Sequence, residues 1–177
     1  DTGGSNFIQA TGGTVTECGD FKIHTFTGPG TFSVLSTSVT PAENTVGYVA
    51  VAGGGAGGAG GNGGGGGGAG GFREGRNVPI DNFTASPLVA DAPTNAVTVT
   101  AQAYPITVGA GGTGVPGSCT PGANGSNSIF STITSTGGGG GGGPPSSANG
   151  DPGGSGGGGG GNTACRTGGS GNTPPVS

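Results

Sequence analysis

Apolar and polar positions alternate over short distances in the first third of the chain. Thr14-Val15-Thr16-Glu17-Cys18, Phe21-Lys22-Ile23-His24-Thr25-Phe26, Thr31-Phe32-Ser33-Val34-Leu35 and Val46-Gly47-Tyr48-Val49-Ala50-Val51 are β-branched and aromatic runs. They are separated by Gly19-Asp20, Gly28-Pro29-Gly30 and Pro41-Ala42-Glu43-Asn44, which carry turn chemistry. In the second run Phe21, Ile23 and Thr25 alternate with Lys22 and His24, the period of a strand with one wet face. These signals predict a small antiparallel β unit over residues 1–52, with His24 on its wet side.

At Ala52 the texture changes to AGGGAGGAGGNGGGGGGAGG, which ends at Gly71. A stretch without glycine repeats follows, an insertion over 72–103 whose later part, Ala96-Val97-Thr98-Val99-Thr100, again reads as a strand. Tyr104-Pro105-Ile106-Thr107-Val108 then leads into GAGGTG, Cys119 to Ser128 reads as a loop, and Ile129 to Ile133 leads towards the unbroken run Gly137–Gly143. A last block runs from Gly153 to Gly161 and is followed by a Gly-Pro tail. The organisation repeats: a short β-type segment feeds a glycine run, which ends in a polar or proline-containing turn.

The chain has 50 glycines and 13 prolines in 177 residues, and no window keeps apolar residues at helical spacing. The predicted fold class is therefore mostly β and irregular, with essentially no α-helix: a β unit over 1–52 and a glycine-rich part over 53–177. Gly/Ser tracts commonly behave as random coils. Here the runs break at similar lengths, turn residues stand between them, and β-type anchors precede most of them, which a linker does not need. The sharper reading makes each run an extended threefold helix of polyglycine II type, rising about 3.1 Å per residue, so that Gly137–Gly143 spans roughly 22 Å. Such a helix has no internal hydrogen bonds, so it must bond laterally, and the absence of Cβ atoms lets neighbours approach closely enough. A collagen-type triple helix is excluded because the runs do not keep glycine at every third place with X-Y residues between.

With a net charge of −4 and only Lys22, Arg73, Arg76 and Arg166 as basic residues, the chain has no basic patch for nucleic acid. It also has no apolar run near 18 residues and no basic amphipathic stretch, so no membrane insertion is expected. Because the sequence begins at Asp1, a processed product or a part of something longer is expected.

Catalysis has little to stand on. The eight carboxylates are scattered, a single His24 stands without a serine motif, and no Lys-Ser/Thr follows any glycine run as a phosphate loop would require. No enzyme activity, metal or cofactor is expected. Among the three cysteines, Cys119 and Cys165 lie in loops of the glycine region, where a bridge would constrain a floppy unfolded chain, and they are the expected disulfide. Cys18 is then left as a buried or unpaired thiol, and the odd count argues for caution over any pairing. Asn82-Phe83-Thr84 and Asn124-Gly125-Ser126 fit the N-glycosylation pattern, which matters only in a secreted setting.

One ordered set of segments also carries a family likeness: Ile23 to Val34 (IHTFTGPGTFSV), Tyr48 to Gly55 (YVAVAGGG), Ala69 to Gly75 (AGGFREG), Tyr104 to Gly112 (YPITVGAGG), and Ser126 to Phe130 before a polyglycine run. Together they resemble the glycine-rich domain of bacteriophage tail fibre and minor tail proteins, over nearly the whole chain from about Gly12 to Gly161. The resemblance implies a structural virion protein, extracellular on the phage tail, at or near its host-contacting end. Related adhesin tips of T-even-type phage fibres are similar in stacking polyglycine II helices and presenting loops between them. Those tips can lack the β-rich lead-in found here, which leaves tip and shaft positions both open.

The partners implied are a host cell-surface receptor, protein or glycan, other tail proteins, and further copies of the chain in a homotrimer. Candidate receptor contacts are Phe72, Arg73, Arg76 and Asn77 in the insertion, Pro144, Pro145, Ser146, Ser147 and Asn149 after the seven glycines, and Asn162, Thr163 and Arg166 near the last run. Arginine pairs with phosphate or carboxylate, and aromatic faces stack on sugars or cations. Each of these is otherwise a solvated turn residue, and Arg73-Glu74, which lies inside the shared pattern AGGFREG, reads rather as a local ion pair closing a glycine run than as a binding group. Two other functions fit the composition: a glycine-rich antifreeze protein and a subunit of an extracellular filament, whose β segment would pair with the next protomer's edge.

Overall fold

The computed structural model describes residues 7–60, 63–78, 80–81, 83–86, 95–114, 120–143, 149–161 and 166–172. It is built of strands and extended segments with essentially no helix. The one helical element among the described residues is a single 3-10 turn, Pro41–Glu43. The strands in chain order are β1 (Gln9–Thr11), β2 (Thr14–Cys18), β3 (Phe21–Thr25), β4 (Gly30–Ser36), β5 (Thr45–Val46), β6 (Tyr48–Val51), β7 (Phe72–Gly75), β8 (Val97–Thr98), β9 (Ala103–Thr107), β10 (Ser128–Phe130) and β11 (Ile133–Ser135). The chain divides into two compact units: residues 1–49, 73–107 and 130–132 form one, and residues 50–72, 108–129 and 133–177 the other. The described residues of the 72–103 stretch from Arg73 onward belong to the first unit.

In the first unit β4 lies between β1 and β9, antiparallel to both, with Ala10 opposite Val34 and Phe32 opposite Tyr104. The alternation of β4 buries Phe32 and Val34 and leaves Leu35 exposed, as a one-sided strand requires. The inward residues meet in an aromatic cluster. The Phe32 ring is edge-on to Phe130 at 6.0 Å and tilted against Tyr104 at 6.5 Å, and Phe130 also meets Tyr48 edge-on at 6.4 Å. These are the offset and edge-to-face arrangements that aromatic quadrupoles favour.

β2 and β3 form a separate two-stranded ribbon closed by Gly19-Asp20, with Gly19 at φ +57 in the left-handed position that such tight turns need. Here the structure departs from the simple alternation. Ile23 is 44% exposed, whereas His24 is half-buried, its ring 5.1 Å from Phe32 and its Nδ1 2.8 Å from the Gly12 carbonyl. Phe21 packs edge-on against Phe83 at 6.1 Å. A free two-stranded ribbon twists more than a wide sheet, so Phe21 and His24 find cover under different neighbours instead of sharing one face. The Cys18 thiol at the end of β2 is free and exposed.

The interior of the second unit is mostly backbone, with small side chains such as Ala52, Ser128 and Ser135 buried beside it. Its extended segments, which we call rods, are residues 53–59, 63–71, 109–114, 120–127, 136–143, 149–154, 155–161 and 166–172, joined laterally by backbone hydrogen bonds at a repeat of three residues. Ala52, Gly55 and Gly58 donate to Gly71, Gly68 and Gly65; Gly53, Ala56 and Ala59 donate to Ser126, Ala123 and Thr120. A β ladder would show a repeat of two. Thr120 to Asn127, expected as part of a loop, is one of these rods. Its Gly122 and Gly125, three apart, face inward, where a Cβ would fall on the carbonyls of Ala56 and Gly53, while Ala123 and Asn124 between them are exposed.

Residues Gly137–Gly143 form the central rod, and all of them are buried. A Cβ at Gly139 would fall on the carbonyl of Asp151, at Gly140 on that of Gly122, and at Gly141 on that of Gly65. The packing distance is thus set by backbone against backbone. Glycine is the residue that permits it at these positions.

Candidate functional site

The rods of the second unit run in alternating senses, and their bonds give the direction of each. Gly138 and Gly141 donate to Gly53 and Ala56, so rods 136–143 and 53–59 are parallel. Gly139 and Gly142 donate to Ser155 and Gly158, so rod 155–161 shares that sense. Rods 63–71, 120–127 and 149–154 run the opposite way, because Gly65 and Gly68 donate to Gly142 and Gly139, Gly122 and Gly125 to Gly141 and Gly138, and Asp151 and Gly154 to Gly140 and Gly137.

These directions bring four of the rod connections to one end of the unit, while the junction of Gly154 with Ser155 lies at the other, where Gly154 donates to Gly137 and Gly139 to Ser155. Ala59 bonds Thr120, Gly58 bonds Gly65, Gly142 bonds Gly158, Gly161 bonds Gly63, and Gly150 bonds Thr167, all at the same end. The connection from Gly60 to Gly63 is there, closed by the Gly63 N–H on the Gly60 carbonyl at 3.2 Å, with Gly63 at φ +107. The flanks of the other connections, Thr120, Gly143 with Asn149, and Gly161 with Arg166, converge on it as well. Segments 115–119, 144–148 and 162–165 that join them lie outside the described residues. They contain Pro144, Pro145, Ser146, Ser147, Asn162 and Thr163, and both cysteines of the expected bridge, Cys119 and Cys165.

The flanking candidates are described. Asn149 and Arg166 are exposed, and the Asn149 Oδ1 accepts the Thr167 N–H at 3.3 Å, which ties one flank to the other. Phe72 in β7 is 39% exposed. The remaining candidates of the insertion lie in the first unit. Arg73 is half-buried near Tyr48, whose phenol is pushed up by burial and drawn part of the way back by the Arg73 guanidinium.

Arg76 and Asn77 are held in structural bonds. The Arg76 Nη1 donates to the Phe83 carbonyl at 3.2 Å, and its N–H donates to Asn95 Oδ1 at 2.8 Å. Asn77 is only 7% exposed; its Nδ2 donates to the Ala42 carbonyl and to Thr45 Oγ1, and its N–H to Asp81 Oδ2. The Glu74 carboxylate accepts the Ser86 N–H at 2.9 Å.

Two asparagines outside the candidate contacts act at the central rod, in a role that the glycosylation pattern at Asn124 does not suggest. Asn124 and Asn127 turn their carboxamide oxygens onto the N–H groups of Gly140 at 2.7 Å and Gly137 at 2.9 Å. The available signal was their spacing, three residues apart on a rod whose repeat is three. Ser128 is a third such residue: its buried Oγ donates to the Val51 carbonyl and accepts the Gly109 N–H. The Asn82 glycosylation motif begins outside the described residues.

Among the described residues no group of three or more His, Cys, Asp or Glu side chains could hold a metal ion, and no helix is long and apolar enough to cross a membrane. No curated protein and no solved structure matches the chain. A family model described as a glycine-rich domain does match, over residues 26–174, and the chain belongs to that glycine-rich domain family.

Proposed function

We propose that this chain is a structural, non-catalytic virion protein of a phage tail fibre or tail tip, in which a bundle of polyglycine II helices presents loops to a receptor on the host surface. The observation that carries this reading is that the flanks of four rod connections, at 60–63, 120, 143–149 and 161–166, meet at one end of the glycine-rich unit. The threefold repeat of lateral bonds and the burial of Gly137–Gly143 support the polyglycine II assignment. A bundle whose rods are locked to one another fixes the points from which its connecting loops leave, and loops whose ends are held in advance lose less conformational entropy on binding.

In this reading the contacts are Pro144, Pro145, Ser146, Ser147, Asn149, Asn162, Thr163 and Arg166, whose chemistry suits a glycan or a protein surface with acceptor groups. Arg76 and Asn77 drop out, because their polar groups already serve the first unit. The test is adsorption of the purified protein to bacterial cells, comparing the native chain with one in which residues 144–147 and 162–163 are replaced by Gly/Ser. Loss of adsorption with amide exchange across Gly137–Gly143 unchanged is the expected result. Undiminished adsorption overturns the loop assignment, and free-coil exchange across those glycines in the native chain overturns the bundle.

A further inference from the structure

The central rod has six lateral directions, and its hydrogen bonds show what fills each one. Its carbonyls at 137 and 140 accept from rod 149–154, those at 138 and 141 from rod 120–127, and those at 139 and 142 from rod 63–71. Its N–H groups at 138 and 141 donate to rod 53–59, and those at 139 and 142 to rod 155–161. Only the third donor phase, Gly137 and Gly140, meets no backbone. These two N–H groups go to the side-chain oxygens of Asn127 and Asn124.

The surrounding rods locate this direction. Rod 53–59 bonds both 63–71 and 120–127, rod 63–71 bonds 155–161, and 155–161 bonds 149–154 through Gly157 and Asp151. Around the central rod the sequence of neighbours is therefore 120–127, 53–59, 63–71, 155–161, 149–154. The direction left over is that of the Gly137 and Gly140 N–H groups, and it adjoins rod 120–127, whose asparagines reach it. Two asparagines of rod 120–127 stand in for the rod that is missing there, one carboxamide per turn of the threefold repeat.

We propose that Asn124 and Asn127 determine assembly: they close the bundle at its central rod and so exclude a glycine rod of a second copy of this chain. This rests on the rod-bundle reading above. A glycine bundle is in the position of an open sheet edge, since any rod with unmet N–H groups templates another. Side-chain oxygens that occupy those donors remove the template without adding a rod. Each carboxamide also leaves bulk where a second backbone would have to lie, and both residues are exposed on the outer side.

The test replaces both residues with glycine, N124G together with N127G, and follows single-amide hydrogen exchange and sedimentation over a range of protein concentrations. In the native chain Gly137 and Gly140 should exchange as slowly as Gly138, Gly139, Gly141 and Gly142. In the dilute variant Gly137 and Gly140 alone should exchange roughly tenfold to hundredfold faster. As concentration rises the variant should associate, and the two amides should become protected again.

A second variant, N124D with N127D, keeps an oxygen acceptor at each position, a carboxylate in place of the carboxamide; it should retain protection and stay unassociated. Association of the Asp variant to the same extent, or a glycine variant that stays unassociated at every concentration, overturns the proposal. Fast exchange of Gly137 and Gly140 alone in the native chain also overturns it while leaving the bundle standing. Fast exchange of all six amides would instead overturn the bundle itself.

Discussion

The two units build their interiors from opposite materials. The first fills its interior with rings: Phe130 packs edge to face on Phe32 and Tyr104, which are tilted against each other, and Val34, Val97 and Val99 are buried in the same unit. The second fills its interior with peptide groups, and the most enclosed stretch, Gly137–Gly143, contributes no side-chain atom at all. In the first unit, stability comes from apolar area removed from water and from ring geometry. In the second, ordering glycine costs about 0.5–1 kcal/mol more per residue than ordering alanine. What offsets that cost is a hydrogen bond in nearly every lateral direction, shared between rods that could not be ordered singly. Burial alone is therefore a poor guide to what a substitution does in this molecule; the direction of the size change matters more.

The sharpest break of that comparison uses two substitutions of opposite sense. Phe32→Ala removes a ring that touches His24, Tyr104 and Phe130, and should cost about 3–5 kcal/mol. Gly141→Ala adds one methyl group, which would fall on the Gly65 carbonyl, where only backbone could give way. It should cost about 3 kcal/mol or more, as strongly overpacked sites do. Denaturant unfolding with near-ultraviolet circular dichroism for the rings and amide exchange for the rods measures both. If Gly141→Ala left the rods as protected as before, backbone packing would not be what sets their spacing.

A smaller effect is expected at Asn77, where the first unit depends on a polar side chain more than its rings suggest. Its carboxamide joins the 3-10 turn at Ala42 and the strand β5 at Thr45 to the turn after β7. Asn77→Ala removes both bonds from a buried side chain, while the exposed Ala42 carbonyl and the half-buried Thr45 hydroxyl can turn to water, and should destabilise by about 0.5–1.5 kcal/mol. A stability equal to the native chain would return Asn77 to the solvated turn that the sequence alone allows.

How much of this was legible beforehand depended on how local the signal is. β2, β3, β4 and β6 could be read from apolar alternation, and Gly19-Asp20 as the hairpin turn, because strand and turn chemistry act over a few residues. β1 over Gln9–Thr11 has no such pattern; it is a strand only because β4 lies beside it. The partners of Asn77 lie 32 and 35 residues away in sequence, so nothing near Asn77 distinguishes it from a wet turn residue. The glycine runs announced themselves, but which glycines face inward is set by the phase of a threefold repeat relative to neighbouring rods. The Asn124 and Asn127 caps follow from the same phase, which is why the stretch around them reads as a loop until the rods are in place.

The smallest effect tests that phase directly. Gly66 sits in rod 63–71, close in sequence to Gly65 and Gly67, yet a Cβ there meets nothing within 4 Å, whereas at those two neighbours it would fall on the carbonyls of Gly158 and Gly55. Gly66 also has no left-handed backbone angle that a side chain would strain. Gly66→Ala should therefore stabilise by about 0.4–1 kcal/mol, through the entropy the unfolded chain loses when glycine becomes alanine. Gly67→Ala, one residue on, should destabilise. Thermal unfolding of the pair decides the matter: if both substitutions move stability in the same direction, adjacent glycines of a rod do not alternate between enclosed and open faces. The threefold phase that places Asn124 and Asn127 against the central rod would then lose its support as well.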